Sequence, residues 1–137
     1  LYLTYKALNC RRRWRHLVEK GEYLPVPVHG RRRRHVLAWS WCQDQQWLLV
    51  VATRWFASLT QPEEPPLGPR IWSGATLILP FEAPRQWREE LTGLVFTGLR
   101  HRGRLTLPLA GVFQELPLAL LSGSTRPEGG ALGYPPL

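Results

Sequence analysis

Methionine is missing from the 137 residues, and cysteine occurs only at Cys10 and Cys42. Two thiols cannot build the disulfide framework of a small secreted domain. A reduced, cytoplasmic setting is expected, with both cysteines serving as small apolar residues. Acidic residues are also few: ten Asp and Glu stand against 18 Lys and Arg, for a formal net charge of +8. No apolar run reaches the ~20 residues that a membrane-spanning helix requires, so no membrane partner is expected. A hydrophobic fraction of 44% excludes wholesale disorder. One core fits in this length, and hardly two. Position 1 opens directly on apolar, helix-compatible sequence with neither a start nor a signal peptide, which reads as a piece of a longer chain.

Motifs that carry chemistry are equally sparse. There is no P-loop and no GxGxxG, and the two cysteines lack metal-ligand spacing. His16, His29, His35 and His101 lie in unlike contexts with no HxxxH pair, so neither a metal nor another cofactor is expected. Ser40, Ser58 and Ser73 have no nucleophile-elbow glycines around them. Glycosidic chemistry needs two spaced carboxylates on a rigid frame. Asp44 falls in a hairpin turn, Glu63 and Glu64 in a proline-rich loop, and Glu89 and Glu90 beside a turn. All read as solvated, and no catalytic residue is expected in this chain.

Arginine and tryptophan are what the chain has in abundance. Lys6 and Lys20 are the only lysines, and seven arginines cluster at Arg11–Arg13 and Arg31–Arg34. Such a balance raises the prior for a polyanionic partner. Arg31, Arg32, Arg33 and Arg34 are the polyanion-binding candidates, against a bland reading as a solvated turn. Of the seven tryptophans, Trp39, Trp41 and Trp47 alternate with aliphatics in the best strands and read as core. Trp14 lies on a helical stripe. Trp55, Trp72 and Trp87 flank loops and are the candidate exposed platforms for a carbohydrate.

The pattern along the chain predicts a mainly β fold, an antiparallel β-sandwich preceded by one α-helix. Leu3, Ala7, Cys10, Trp14 and Leu17 make one stripe at helical spacing over residues 1–20, widened by Leu1, Tyr5 and Leu8, with Gly21 as a stop. A stripe that large must pack on something, and its partner is expected to be missing from this piece. Residues 22–28 read as an extended edge segment restricted by two prolines. His35–Cys42 and Trp47–Thr53 form a hairpin around residues 43–46. Residues 61–70 read as a proline-rich surface loop. Further strands are expected at Ile71–Leu79, Leu94–Leu99, Arg104–Leu109 and Leu118–Leu121. One helical turn is expected over 111–116, and a flexible tail over 122–137.

The order of these segments resembles the C-terminal end of the malto-oligosyltrehalose synthase family, in the α-amylase superfamily. The likeness begins at Leu1–Leu8 and its arginine cluster and continues with Gly21-Glu22-Tyr23-Leu24-Pro25-Val26. It includes His35-Val36-Leu37-Ala38-Trp39, Leu49-Val50-Val51-Ala52-Thr53-Arg54, and Trp72 to Pro80. Trp87-Arg88-Glu89-Glu90-Leu91-Thr92-Gly93 and Leu116-Pro117-Leu118-Ala119-Leu120-Leu121 complete it, so residues 1–121 are covered in order. Arg31–Arg34 and residues 61–70 match no family motif, and Ser73 and Ala75 replace the family's Gly and Asp.

The resemblance implies a parent enzyme that converts the reducing-end α-1,4 linkage of a maltodextrin into an α,α-1,1 linkage. Its route is intramolecular transglycosylation on a (β/α)8 barrel, whose catalytic motifs are not in this chain. It further implies a division into a helix over 1–20 belonging to the barrel and a β-domain over 21–121 packed against it. Maltodextrin would then be met only through the parent. Two rivals remain on this reading: a carbohydrate-binding module, and a basic polyanion-binding domain, with nucleic acid the less favoured partner because the arginines, on a helix and at two separate turns, do not assemble into one face.

Overall fold

Gly21 ends the first helix by close contact. Its amide donates to the Leu17 carbonyl at 2.8 Å, and a Cβ there would run into that oxygen and into the Cys42 carbonyl. The computed structural model describes residues 12, 14–54 and 67–125, and within them α1 spans Arg15–Lys20. Trp14 and Leu17, two members of the predicted stripe, are buried. The remaining stripe residues, Arg11 and Arg13 lie outside the described residues.

The strands follow as β1 (Glu22–Pro25), β2 (Val28–His29), β3 (Val36–Gln43), β4 (Gln46–Thr53), β5 (Thr76–Ile78), β6 (Gln86–Glu89), β7 (Val95–Thr97), β8 (Leu99–His101), β9 (Arg104–Pro108) and β10 (Leu118–Ser124). Two further short helices, α2 (Pro69–Trp72) and α3 (Leu109–Val112), flank β5 and β9 in sequence. The strands build two antiparallel sheets, one in the order β1-β3-β4-β10-β6-β7 and the other β2-β5-β9-β8. The chain is mainly β, as its pattern predicts. Asp44 and Gln45 both adopt left-handed backbone, φ 52° and 68°, which suits the twist of the β3–β4 hairpin. That hairpin pairs Val36 with Thr53 through to Gln43 with Gln46.

Strand alternation divides the six-stranded sheet into two apolar faces. On the inner face, Trp47, Leu49 and Val51 of β4 and Ala119 and Leu121 of β10 join Leu77, Leu105 and Leu107 of the second sheet in one core. Trp72 and Phe113 lie within the same core, their ring centroids 5.0 Å apart. On the outer face, Leu48, Val50 and Leu120 pack against Trp14 and Leu17. The described end of the helix therefore finds its partner inside this chain, where the sequence led us to expect a missing one.

Several local expectations are corrected. Ile71–Leu79 is not one strand: Pro69 starts a helical turn through Trp72, and Gly74 at φ 85° reverses the chain before the three residues of β5. Leu94–Leu99 is divided at Gly98, with β7 in one sheet and β8 in the other. The helical turn expected over 111–116 lies instead at Leu109–Val112. The last strand runs on to Ser124, pairing Ser122 with Leu48 and Ser124 with Gln46, so Ser122–Ser124 belong to the sheet and not to a tail. The rest of the expected tail and most of the proline-rich loop lie outside the described residues.

Candidate functional site

Two of the three platform tryptophans are inside the core. Trp72 is 0% and Trp87 is 1% exposed. Trp72 sits on α2 beneath Phe113, and Trp87 meets Trp47 edge-on at 6.4 Å. Neither can present a ring face to a sugar, because flanking a loop in sequence does not place a residue outside the sheet it packs on. Trp55 lies outside the described residues.

An aromatic row does reach the surface elsewhere. Tyr23 of β1 pairs with Trp41 of β3, and their rings meet edge-on at 6.0 Å. Trp41 meets Trp39 edge-on at 6.5 Å. Tyr23 is 57% exposed, and both tryptophans are only half-buried. The expectation that Trp39 and Trp41 are core residues is therefore corrected. They occupy the outer face, part of which the described end of the helix covers, whereas Trp47 on the inner face is fully enclosed. Leu37, in the same row of β3, is also exposed.

Glu89, expected to be solvated, is 3% exposed. Its Oε1 accepts the amides of Leu91 at 2.8 Å and Thr92 at 2.7 Å, and its Oε2 accepts that of Leu120 at 2.7 Å. The turn is completed by Gly93, whose φ is 82° and whose amide donates to the Glu89 carbonyl. Burial raises the Glu89 pKa above the ordinary glutamate value, and the amides from Leu120, Thr92 and Leu91 oppose that rise. With both oxygens taken up by backbone, the carboxylate is a clamp between the β6 turn and β10. Ser122 Oγ donates to Glu90 Oε2 at 2.8 Å beside it. A carboxylate so engaged is poorly placed for acid–base work, because a general base needs a free oxygen within reach of its proton.

The arginine run forms a built turn. Gly30 has φ 100° and sits against Gly74, where any Cβ would collide with the Gly74 carbonyl. Arg32 takes up left-handed backbone at φ 67°, and Arg33–His35 form a single 3₁₀ turn. The His35 amide donates to the Arg32 carbonyl at 2.9 Å, and the Arg54 amide to the His35 carbonyl at 2.8 Å. Arg54 Nε donates to the Arg34 carbonyl at 2.8 Å. His35 Nδ1 lies 3.2 Å from the Arg54 carbonyl oxygen. Arg31, Arg32, Arg33, Arg34 and His35 line an open concavity of about 480 Å³. Among the described residues, no side chain pairs with the four guanidinium groups.

Arg54 reaches this turn, whereas the basic groups of the β8–β9 turn and of the helix lie apart from it. Thr76 faces both His29 and Pro108, so the arginine turn follows β2 at the Pro108 end of β9. Arg100, Arg102 and Arg104 belong to the β8–β9 turn, at the other end of β9 and toward the opposite edge of that sheet. Arg104 is engaged locally: its Nη2 donates to the Leu79 carbonyl and its guanidinium lies 4.1 Å above the Phe81 ring. Arg12 and Arg15 are exposed at the helix.

Sequence reasoning found the arginine turn and missed the aromatic row and the clamp. Tyr23 carried one available signal, the alternation that puts it on the face opposite Leu24. Cys42 is a free, half-buried thiol whose pKa is raised, first by burial and then by the negative charges of Glu22, Glu82 and Asp44. Cys10 lies outside the described residues. Among the described residues no cluster of His, Cys, Asp and Glu is arranged to hold a metal ion, and no helix is long and apolar enough to cross a membrane. No protein-family model, curated protein or solved structure matches the chain.

Proposed function

We propose that this chain is the non-catalytic C-terminal β-sandwich domain of a cytoplasmic malto-oligosyltrehalose synthase. The reading rests on what the resembling segments do. Trp87, Glu89, Leu91 and Gly93, from one such segment, make a buried clamp and its turn. Leu120, from the closing segment, supplies the amide that the clamp holds. His35–Trp39 and Leu49–Arg54 lie side by side in the large sheet and its margin. Segments that run colinearly in the sequence thus interlock in space as framework. The partly open outer face, with Leu37 and Tyr23, offers an apolar side to rest on a (β/α)8 barrel that performs the transglycosylation.

Three measurements test this. Incubated with maltopentaose, the chain alone should form no non-reducing product, and its reading frame should continue upstream into barrel sequence. Joined to that barrel, it should yield a maltooligosyl trehalose. Turnover by the chain alone, or an upstream frame without a barrel, refutes the proposal.

A second reading, carbohydrate binding, is favoured by the Tyr23–Trp41–Trp39 row alone. Affinity electrophoresis in amylose should then show retardation that Tyr23→Ala abolishes. Equal mobility with and without amylose refutes it.

A further inference from the structure

We infer that the turn Arg31–Arg34 is a binding site for a compact, multiply charged phosphate anion. The site goes beyond the proposed function and does not depend on it. Three features carry the inference: charge density, rigidity and shape. Four consecutive guanidinium groups, unpaired among the described residues, surround one concavity with His35. Guanidinium forks match phosphate oxygens two at a time, which a scattered set of point charges does not.

The backbone beneath them is pinned at separate points: Gly30 against Gly74, Arg34 to Arg54, and His35 to both Arg32 and Arg54. Holding like charges together in a fixed turn is unfavourable unless an anion relieves it. A site organised before binding also loses less entropy when it binds.

The placement of the remaining basic and aromatic groups favours a small anion over a nucleic-acid strand. A strand needs a basic track with stacking rings beside it. Here the other basic turn, at Arg100–Arg104, lies at the far edge and opposite end of its sheet. Trp41 and Tyr23 lie toward the opposite end of β3 from the arginine turn.

The test is calorimetric titration of the folded chain with sodium tripolyphosphate at low and at moderate salt. One equivalent should bind, with affinity falling as salt rises because salt screens the exposed charges. Arg31→Gln/Arg33→Gln should weaken binding by about tenfold or more, since charge-assisted bidentate pairs are the strong contacts. Arg100→Gln/Arg102→Gln should leave it within about twofold, because those groups lie outside the concavity. Unchanged urea midpoints in both variants show that folding is intact.

Equal losses in the two double variants, or no saturable binding by the unsubstituted chain, overturn the inference. Glucose 1-phosphate serves as the singly phosphorylated arm. It should bind more weakly than tripolyphosphate, and the reverse order overturns the multivalent assignment. An oligodeoxythymidylate that binds more tightly than tripolyphosphate, and loses affinity in the Arg100/Arg102 variant, overturns it in favour of a strand.

Discussion

Replacing Glu89 with alanine should be among the most damaging single changes in the chain. The carboxylate accepts three backbone amides, of which those of Leu91 and Leu120 are fully buried and that of Thr92 partly so. A buried donor left without a partner costs about 1–3 kcal/mol, so the two buried amides alone place the loss at about 2–6 kcal/mol. Removing a buried carboxylate returns part of this, since its own desolvation disappears. A net loss of about 3 kcal/mol, at a urea dependence of about 2 kcal/mol per molar, lowers the unfolding midpoint by about 1.5 M. Tryptophan fluorescence reads this directly, because Trp87 lies two residues away in the same strand. A midpoint within about 0.3 M of the unsubstituted chain would refute the clamp.

The same site has a pH signature whose direction follows from its raised pKa. A carboxyl that binds its proton more tightly when folded contributes its full stability below the ordinary value of about 4.3. That contribution is lost as pH rises through the raised folded value. Relative to Glu89→Gln, which does not titrate, the unsubstituted chain should lose midpoint from ~pH 4 upward and then level off. A relative gain over that interval contradicts the assignment.

Other outcomes are equally open to measurement. Trp72→Ala should cost about 3–5 kcal/mol in urea unfolding, as expected for a buried tryptophan replaced by a void, and a loss below about 1 kcal/mol contradicts its placement under Phe113. Gly30→Ala retains every arginine yet forces a Cβ toward the Gly74 carbonyl at φ 100°. It should lower both the unfolding midpoint and tripolyphosphate affinity, and unchanged binding would show that the turn's shape is irrelevant. Tyr23→Ser, at a side chain more than half exposed, should shift stability by no more than about 1 kcal/mol. A larger loss would mean that the aromatic row supports the fold.

The β3–β4 hairpin was legible because its signals agree: two alternating strands and a polar turn at a fixed separation. Gly21 was legible for a similar reason, ending a periodic stripe just before the period changes. What alternation cannot convey is which of two apolar faces lies deeper. Trp39 and Trp47 look alike in sequence, yet they fall on opposite faces, and only the inner one is enclosed. Glu89 was misread because its burial depends on amides that Leu91, Thr92 and Leu120 supply, the last from 31 residues away. The arginine turn was visible as composition, but its rigidity depends on Gly74 and Arg54, which no local pattern connects to it.

Gly98 gives the two sheets a common thread. Its amide donates to the Arg85 carbonyl at 2.6 Å, and its lack of a side chain spares the Leu105 methyl group beside it. The segment from Val95 to His101 consequently borders the large sheet at one end and the small sheet at the other. Peeling that border from either sheet tugs on its counterpart, so the two layers should open together as one cooperative unit in amide exchange. The same border leaves Val95 and Leu99 exposed beside strand edges that are unpaired among the described residues, a natural starting point for association between copies. Arg100 and His101 close it with charge and bulk, and changing them to valine should convert a guarded margin into a nucleus for aggregation.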